Sequence, residues 1–524
     1  MNLDAFLHHL HFEMDKVQPP DWEVDWEDAP LTYKLYRGLP VIPLSSEVPL
    51  TLEGRETSVK PDLRNIGHFL WYGFGLSQYF QTVLSSDSTE PGELMQSYRR
   101  LIPSGGALYP NELYVYVNMK GLPAGIYHYD AAHHRLVLLR EGDFDSYVTR
   151  ALGNRCNVSS GFGTVFVSTV FWKNFFKYHN FVYRLQGLDT GVLIAQLLEV
   201  VKRFGFSSGV CFQFLDRAVH HLLGLAEREE SVYAVVPLSV DPGITWLGEG
   251  NIEEENVSAA ELCRELEAIR PDSSIRSKRV REYPMLIRMN RASMLESSEA
   301  FRRIQGEKKA GRGEALALPR VNRRSYDLAS VCRKRVSPGP NFVLGKVSSW
   351  QLSVLLQEAM ASFAYRNDLD GGQEKVSPRV SLVGCLYGIE GIPDGAYSYD
   401  STAHALRRIR SGDHRHWLQR GMFLHHVNLF QVPICLHVIG DRNHLTGALG
   451  YRGYRIQQME AGMLVQCLLL AAGTVGLGGH PLLGFDAGSC DQIYRIDTRG
   501  KTSLIQIPVG PYRFPARLEG GLHG

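Results

Sequence analysis

The sequence has few cysteines, and none of them forms a recognised pair motif. Eight cysteines are spread over 524 residues without a Cys-x-x-Cys motif. This spacing excludes the common zinc-binding and dithiol redox motifs. Scattered single cysteines are typical of reduced, buried thiols in the cytoplasm. We therefore predict a cytoplasmic protein with no metal site.

The sequence also lacks a charge bias and a long apolar run. It contains 56 Lys and Arg against 55 Asp and Glu, so there is no reason to expect a nucleic acid partner. Its start, MNLDAFLHHLHFEMDK, is acidic and rich in His, unlike a secretory signal. The most apolar segment, 463–479, is interrupted by Gln466 and is short for a membrane span. We predict a buried helix there and no membrane partner.

A Gly-x-Gly-x-x-Gly motif after a strand is absent as well, which argues against a Rossmann nucleotide-binding domain. What the sequence contains instead is a large internal repeat. Residues 121–143 return as residues 391–413 without a gap, with eleven of twenty-three residues identical. Later landmarks keep nearly the same offset, since VYR at 182–184 answers GYR at 453–455. The repeat predicts one large folding unit used twice, as in a fused dimer.

We place an N-terminal domain at 1–241, a helical and polar connector at 242–319, and a C-terminal domain at 320–524. Each half is expected to run through a helix, several strands, a long buried helix, a Gly-rich turn and a final strand. The long helix is predicted in TGVLIAQLLEVVKRFGF in the first half. Its second-half equivalent is expected to start near Gln457.

Four motifs in order carry a resemblance to a known family. PSGGALYP, GLPAGIYHYD, FWKNFFKYHNFVYR and GLGGHPLLGFD together resemble the SagB-type dehydrogenases, which are FMN-dependent azoline oxidases with the nitroreductase-like fold. The resemblance covers most of the chain as two tandem copies. It implies an α+β fold in which antiparallel-rich, mixed sheets are wrapped by helices, with flavin in clefts of an intramolecular pseudo-dimer.

The resemblance also implies which residues hold FMN. The phosphate would be bound by Arg335 and Ser337 in CRKRVSPGPNF, with Arg513 and Arg517 from PYRFPARLEG, and the backbone of Gly484 and Phe485 would line the flavin. In the first half the corresponding positions offer only Arg55–Thr57, and Gln213–Phe214 in place of the Gly-Phe turn. We expect the first-half positions not to serve.

The Pro-Ser-Gly-Gly turn is kept in the first half and lost in the second, which is the opposite of the phosphate-binding residues. The first half keeps Pro103, Ser104, Gly105 and Gly106, whereas the second half has only a Gly pair at 371–372. In nitroreductase-like dimers this turn packs beside the flavin of the other subunit. The complementary losses therefore predict one FMN per chain, held by the second half beside the turn of the first. Two weak sites, or none, is the alternative.

The resemblance places the catalytic pair at Lys177 and Tyr178, which match the Lys-Tyr pair of azoline dehydrogenases. Ala448 and Leu449 stand at the equivalent second-half positions, so only one copy could be catalytic. An aromatic neighbourhood can lower the pKa of a Lys by desolvation, which would let Lys177 act as a base. The alternative is a Lys that extends along an aromatic helix toward water. His179 is expected to make a polar contact, and His220 and His221 to lie on an outer helix face.

The function implied by the resemblance is oxidation of thiazolines or oxazolines in a ribosomally made precursor peptide, giving thiazoles or oxazoles. A cyclodehydratase is the implied partner. Two alternatives stay open: a nitroreductase-like enzyme that uses NADH or NADPH on a small molecule, and a catalytically silent docking scaffold. The oligomeric state, monomer or homodimer, is also open.

Overall fold

The computed structural model describes residues 1–53, 61–84, 93–241, 256–274, 276–304, 315–322, 325–370, 378–514 and 518–521. Its contacts divide the chain into two compact units. We call them the first-half unit (Asp15–Gln305, Tyr365–Val376 and Arg517–Gly524) and the second-half unit (Met1–Met14, Gly306–Ala364 and Ser377–Ala516). The domain boundaries drawn from the sequence stay a prediction.

The helices and strands follow one another in the order that the repeat predicts. The helices are α1 (Leu3–Phe12), α2 (Leu63–Phe74), α3 (Asp145–Ala151), α4 (Trp172–Tyr178), α5 (Val182–Arg203), α6 (Asp216–Leu223), α7 (Ala259–Glu265), α8 (Pro284–Ala292), α9 (Leu328–Lys334), α10 (Ser349–Ser362), α11 (Arg415–Arg420), α12 (Thr446–Leu449), α13 (Tyr451–Thr474) and α14 (Ala487–Tyr494). The strands are β1 (Val41–Pro43), β2 (Leu76–Leu84), β3 (Glu93–Arg100), β4 (Asn111–Val117), β5 (Gly125–Asp130), β6 (Arg135–Glu141), β7 (Gly163–Val170), β8 (Ser207–Ser208), β9 (Glu230–Ser239), β10 (Ala315–Ala317), β11 (Ser381–Leu386), β12 (Gly395–Asp400), β13 (Ala405–Ser411), β14 (Ile434–Asp441), β15 (Gly478–Gly479), β16 (Lys501–Gly510) and β17 (Leu518–Gly521).

Each unit is built on one antiparallel sheet. The first-half sheet has the order β1-β6-β5-β4-β7-β9-β8, and the second-half sheet has the matching order β10-β13-β12-β11-β14-β16-β15. A smaller sheet, β17-β2-β3, belongs to the first-half unit. The α+β fold with antiparallel-rich sheets, repeated in tandem, is therefore confirmed.

The two sheets also share their irregularities. The β5–β6 ladder shifts register between Ile126 and Tyr127, and the β12–β13 ladder shifts between Ala396 and Tyr397. A one-residue bulge fixes which residues face the core on either side of it. Keeping the bulge at the same repeat position therefore preserves the same inward-facing set in both halves.

A long buried helix lies at the centre of each unit. Helix α5 is buried from Val182 to Val201, and α13 from Arg452 to Ala472. A helix that is buried on all sides lacks a polar stripe, which is why both segments are apolar on more than one face. The predicted buried helix at 463–479 is thus the later part of α13, ending at Thr474, followed by the Gly-rich β15.

Two details differ from the sequence predictions. Helix α13 begins at Tyr451, one and a half turns before the expected Gln457. His220 is not on an outer face: its side chain is buried, and its Nε2 accepts a hydrogen bond from the backbone N–H of Val232 at 3.0 Å. The imidazole can stay buried because strand β9 supplies this donor.

Seven of the eight cysteines are buried, and Cys263 is half-buried. Among the described residues, no helix is long and apolar enough to cross a membrane.

Candidate functional site

The Pro103–Gly106 turn needs both of its glycines. Gly106 has a φ of +64°, a left-handed conformation that L side chains rarely adopt. A Cβ on Gly105 would lie 2.5 Å from Cδ1 of Leu185 on helix α5. The turn is therefore seated tightly against α5 on one side, while Gly106 itself is exposed.

The predicted catalytic pair, Lys177 and Tyr178, lies directly at this turn. A Cβ on Gly106 would lie 2.6 Å from Oη of Tyr178 and 3.0 Å from Nζ of Lys177. The structure thus brings together, within the first-half unit, the turn and the two side chains that the sequence analysis singled out separately. Because Gly106 has no side chain, there is room for the Lys177 amine and the Tyr178 hydroxyl beside this exposed residue.

Lys177 sits among aromatic rings at this place. Its Nζ lies 5.0 Å from the ring centre of Tyr178 and 5.0 Å from that of Trp26. Burial lowers the pKa of Lys177, as predicted, whereas a cation held over aromatic faces is favoured in its charged form. Burial raises the pKa of Tyr178 to about 12, with a smaller contribution from the charge of Asp189.

Helix α4 is held in place by a buried ion pair. The ammonium of Lys173, one turn before Lys177, contacts Oε1 of Glu112 on strand β4, and Oε2 of Glu112 lies 2.9 Å from Nε2 of His128 on β5. Burial alone would raise the pKa of Glu112, but Lys173 and then His128 outweigh it and lower that pKa. The ion pair fixes the helix that carries Lys177 to the sheet.

Asp189 is a residue of this site that the sequence analysis missed. Its carboxylate accepts hydrogen bonds from Oγ of Ser104 at 2.7 Å and from the backbone N–H of Gly105 at 3.2 Å. Burial raises its pKa to about 7, against the two hydrogen bonds. The available signal was an Asp inside an otherwise apolar helical segment, QGLDTGVLIAQ.

A groove lies beside helix α4, on the side covered by residues 22–28. Nε1 of Trp22 donates to the backbone carbonyl of Phe176 at 3.1 Å, and the ring of Trp26 packs against that of Phe176 at 5.5 Å between centres. The groove is lined by Trp22, Glu23, Asp25, Asp28, Trp172, Phe176, Arg279 and Arg281. His179 makes the expected polar contact, with its Nδ1 donating to the carbonyl of Val17 at 3.0 Å.

The predicted phosphate residues lie in the second-half unit. Arg335 ends helix α9, and the chain then passes through Ser337 to a turn at Gly339–Asn341. The backbone N–H of Arg513 donates to the carbonyl of Asn341 at 2.9 Å. The segments that carry Arg335, Ser337 and Arg513 are therefore paired. Arg517 and Arg55–Thr57 lie outside the described residues.

His480 links the turn at Gly339–Asn341 to residues 422–426, the loop that contacts the predicted turn at Gly484 and Phe485. Its Nδ1 accepts from the backbone N–H of Gly339 at 2.8 Å, and its Nε2 lies 3.3 Å from Nε2 of His426. Burial, with smaller effects of His426 and Arg335, lowers the pKa of His480 to about 3. In the same loop, the N–H of Phe423 donates to the carbonyl of Gly484 at 3.0 Å, and Met422 bridges to Phe485.

The equivalent turn of the first half is already occupied by protein groups. The carboxylate of Asp368, itself part of the first-half unit, accepts from the backbone N–H groups of Phe212 at 2.8 Å and Gln213 at 2.9 Å. Oε1 of Gln213 accepts from the N–H of Arg302 at 2.6 Å. The donors that the second half could present to a ligand at Gly484 are thus satisfied internally in the first half.

Lys177 and Tyr178 have no counterpart in the second-half unit. Helix α12, which corresponds to α4, is a single turn that carries Ala448 and Leu449 at the equivalent positions. The prediction that a flavin held by the second half lies beside the Pro103–Gly106 turn stays a prediction, and the Gly pair at 371–372 is outside the described residues.

The chain is similar in sequence to two known proteins. The chain is 32% identical over 142 residues to the trifolitoxin-processing protein TfxB of Rhizobium leguminosarum bv. trifolii, covering 25% of this chain and 37% of that protein. It is 28% identical over 122 residues to "putative nitroreductase MJ1384" of Methanocaldococcus jannaschii, covering 23% of this chain and 60% of that protein. Both matches span less than two thirds of the relative's own length. No protein-family model matches the chain.

A solved structure resembles the chain over nearly its whole length. The crystal structure of a "putative nitroreductase" from Anabaena variabilis aligns with 97% of this chain and 99% of its own, with a TM-score of 0.68 and 19% identity. This likeness shows the fold. The nitroreductase-like fold occurs twice in the chain. The ordered motifs and the trifolitoxin-processing relative both support a resemblance to the SagB-type proteins.

Proposed function

We propose that this protein is an FMN-dependent oxidoreductase that converts thiazolines or oxazolines of a ribosomally made peptide into thiazoles or oxazoles. The observation that carries the proposal is the meeting of Lys177 and Tyr178 at the left-handed Gly106. A lysine with a lowered pKa can accept a proton near neutral pH. The exposed turn beside it leaves space for a planar ring.

The second-half unit offers a donor set that fits a flavin phosphate. Arg335, Ser337 and Arg513 lie on paired segments, and guanidinium and hydroxyl groups are the donors that phosphate groups recruit. FMN, when bound, supplies the acceptor for the two electrons and the hydrogen that leave the azoline ring. The occupied first-half turn at Gln213 supports the proposal of a single flavin per chain.

The roles of the chain's own residues follow from their surroundings. Lys177 would take the ring proton, because burial favours its neutral form. Tyr178 would stay a neutral hydrogen-bond donor at the pH of the cell, because its pKa is about 12, and could therefore orient the base or the ring. Trp26, above Lys177, would limit the access of water to the amine.

The proposal of a peptide substrate is based on the trifolitoxin-processing relative and not on the geometry of the site. The name of the trifolitoxin-processing protein assigns that protein to the processing of a peptide toxin. We propose by analogy that a precursor peptide is the substrate here and that a cyclodehydratase makes the azolines.

The test is the oxidation of an azoline peptide by the purified protein, followed by the mass lost when two hydrogens leave each ring. Lys177→Ala should keep its flavin and lose activity by about a hundred- to ten-thousandfold, the usual contribution of a positioned base. Ala448→Lys is the matched control and should change nothing. A Lys177→Ala protein that still oxidises azolines at a near wild-type rate would contradict the assignment.

A second candidate is a nitroreductase-like activity with NADH or NADPH, favoured by the relative named as a nitroreductase. It predicts fast flavin reduction by either nicotinamide and no azole formation. A preparation without flavin would instead favour a docking scaffold.

A further inference from the structure

Asp189 is a buried acid at the site that the proposed chemistry does not use. Its side chain is 6% exposed, and it stands on α5 four residues after Leu185, so both side chains lie on one face of the helix. Gly105 touches both of them, through its N–H to Asp189 and through its Cα side to Leu185. The turn is thus attached to α5 by one polar and one apolar contact.

Ser104 makes the polar attachment stronger and more directional. Its hydroxyl donates to Oδ2 of Asp189 at 2.7 Å and accepts from the N–H of Tyr109 at 3.0 Å. The hydroxyl therefore has one donor role and one acceptor role, and both are satisfied. Only a side chain that accepts hydrogen bonds can satisfy Ser104 and Gly105 at once.

The other side of the same turn touches Lys177 and Tyr178. Gly106, the position where Lys177 Nζ and Tyr178 Oη meet, directly follows Gly105, which is bound to Asp189. Any displacement of the turn away from α5 therefore changes the space in front of the two side chains.

We propose that Asp189 is a positioning residue: its ionised carboxylate holds the Pro103–Gly106 turn at the distance from Lys177 and Tyr178 that the reaction requires, and protonation of the carboxyl releases the turn. This inference rests on the proposed function of Lys177. A protonated carboxyl donates through one oxygen and keeps only its carbonyl oxygen as a strong acceptor, so it can no longer accept from Ser104 on one oxygen and from Gly105 on the other. The raised pKa of about 7 puts this change close to neutral pH.

The neighbouring ionisable groups leave Asp189 without a charged partner of its own. The causes that act on its pKa are burial and the hydrogen bonds from Ser104 and Gly105, and its charge acts in turn on Tyr178. The ionisable groups on the elements packed against α5 are Arg64, His68 and Tyr72 on α2, Glu112, Tyr114 and Tyr116 on β4, Lys173, Lys177 and Tyr178 on α4, and His179 on the turn that follows. Of these, Glu112 and Lys173 are paired with each other.

The experiment measures the reactivity of Lys177 in the full-length protein. Acetylation of the Lys177 amine by a small anhydride is followed by mass spectrometry from about pH 5 to about pH 9, a range that spans the ordinary His and raised Asp values. The wild type should show a change in reactivity near pH 7 in addition to the titration of the amine. Asp189→Asn, which cannot ionise but keeps an acceptor, should lack that change.

The control is Asp368→Asn. Asp368 is also buried and also has a pKa raised by burial. It accepts from the backbone N–H groups of Phe212 and Gln213 rather than from the turn. It should leave the change in Lys177 reactivity intact. If the profiles of Asp189→Asn and the wild type coincide, the inference is wrong.

Azoline oxidation gives a second reading over the same pH range. The wild type should lose kcat/KM on the acid side of pH 7 more steeply than protonation of Lys177 alone requires, and Asp189→Asn should show only the limb that Lys177 itself causes. Asp189→Ala should lose about ten- to a hundredfold throughout, as expected for a displaced catalytic group. If the wild type oxidises no azoline, the proposed function fails, while the acetylation profile still decides the role of Asp189.

Discussion

At the scale of single residues, the site is notable for the charges it buries. Lys177 and Asp189 both have pKa values shifted toward the neutral form by burial, and such pairs of shifted groups are found more often at functional sites than elsewhere. Lys173 and Glu112, by contrast, compensate each other. Burial therefore dominates at Lys177 and Asp189, whereas the ion pair dominates at Glu112.

Asp189 should make the protein less stable as the pH rises. The folded-state pKa of Asp189 is about 7, above the usual value of 3.8. Between these two pH values the folded protein holds a proton that the unfolded chain has released. The free energy of unfolding therefore falls as the pH rises through this range. Each pKa unit corresponds to about 1.4 kcal/mol, so Asp189→Asn should gain up to about 4 kcal/mol relative to the wild type above neutral pH. Thermal unfolding midpoints measured across this range check it. A difference between the unfolding midpoints of Asp189→Asn and the wild type that does not vary with pH would contradict the prediction.

Arg335 should be required for flavin binding. A hydrogen bond to a charged group contributes about 1.5–3 kcal/mol, so Arg335→Ala should weaken FMN binding by about ten- to a hundredfold. Lys334→Ala removes an exposed charge from the neighbouring position and should leave FMN binding nearly unchanged. Equal loss in the two variants, measured by fluorescence titration of FMN, would show a nonspecific effect of positive charge.

At the scale of elements, the sequence repeat predicted most of the fold because both copies keep the same strand order and the same register shifts. The conformation of α12 was not predictable in the same way. Its four residues replace the seven of α4. Gly447 and Gly450 lower the helix propensity of the segment, but propensity alone does not fix where a helix begins or ends. Asp189 was missed because an Asp in an apolar helix can be satisfied in many ways, and its partner Ser104 lies far away in sequence.

The Gly106 turn should tolerate no side chain. Gly106→Ala would place a Cβ 2.6 Å from Oη of Tyr178, in addition to the cost of about 1–2 kcal/mol for an L residue in the left-handed region. Gly121 is a matched control, since its φ is +94° and nothing lies within 4 Å of its Cβ position. Both variants carry the backbone cost, but only Gly106→Ala should displace Tyr178 and Lys177 and lose azoline oxidation. Similar activity in the two proteins would remove the argument for contact at this turn.

At the scale of the whole molecule, the two copies of the fold have diverged in complementary ways. The first-half unit carries Lys177, Tyr178 and a turn at Gln213 occupied by Asp368, and the second-half unit carries the Arg335 and Arg513 segments. The repeat and the motif losses in the sequence were sufficient to predict this asymmetry. The occupation of the Gln213 turn by a carboxylate could be seen only in the structure, since it depends on a contact between residues distant in the chain.

The asymmetry predicts one FMN per chain. The ratio is measured from the flavin absorbance and the protein concentration after FMN saturation and gel filtration. Asp368→Ala frees the donors of Phe212 and Gln213, but the ratio should stay at one, because this turn has no equivalent of the Arg335 segment among the described residues. A ratio near two in the wild type would overturn the single-site proposal.

Each terminal segment belongs to the unit built mainly from the other half of the chain, and this affects folding during synthesis on the ribosome. Strand β17 pairs with β2 in the first-half unit, and α1 is held in the second-half unit by the 2.8 Å contact between His11 Nε2 and Thr502 Oγ1. Nascent domains generally fold in the order in which they emerge, yet here neither unit is complete until residues beyond 500 have been made. A chain that stalls before residue 518 would leave one edge of β2 without its partner strand, and an open strand edge readily pairs with another chain. Translational pausing late in the message should therefore favour aggregation more than pausing early in it.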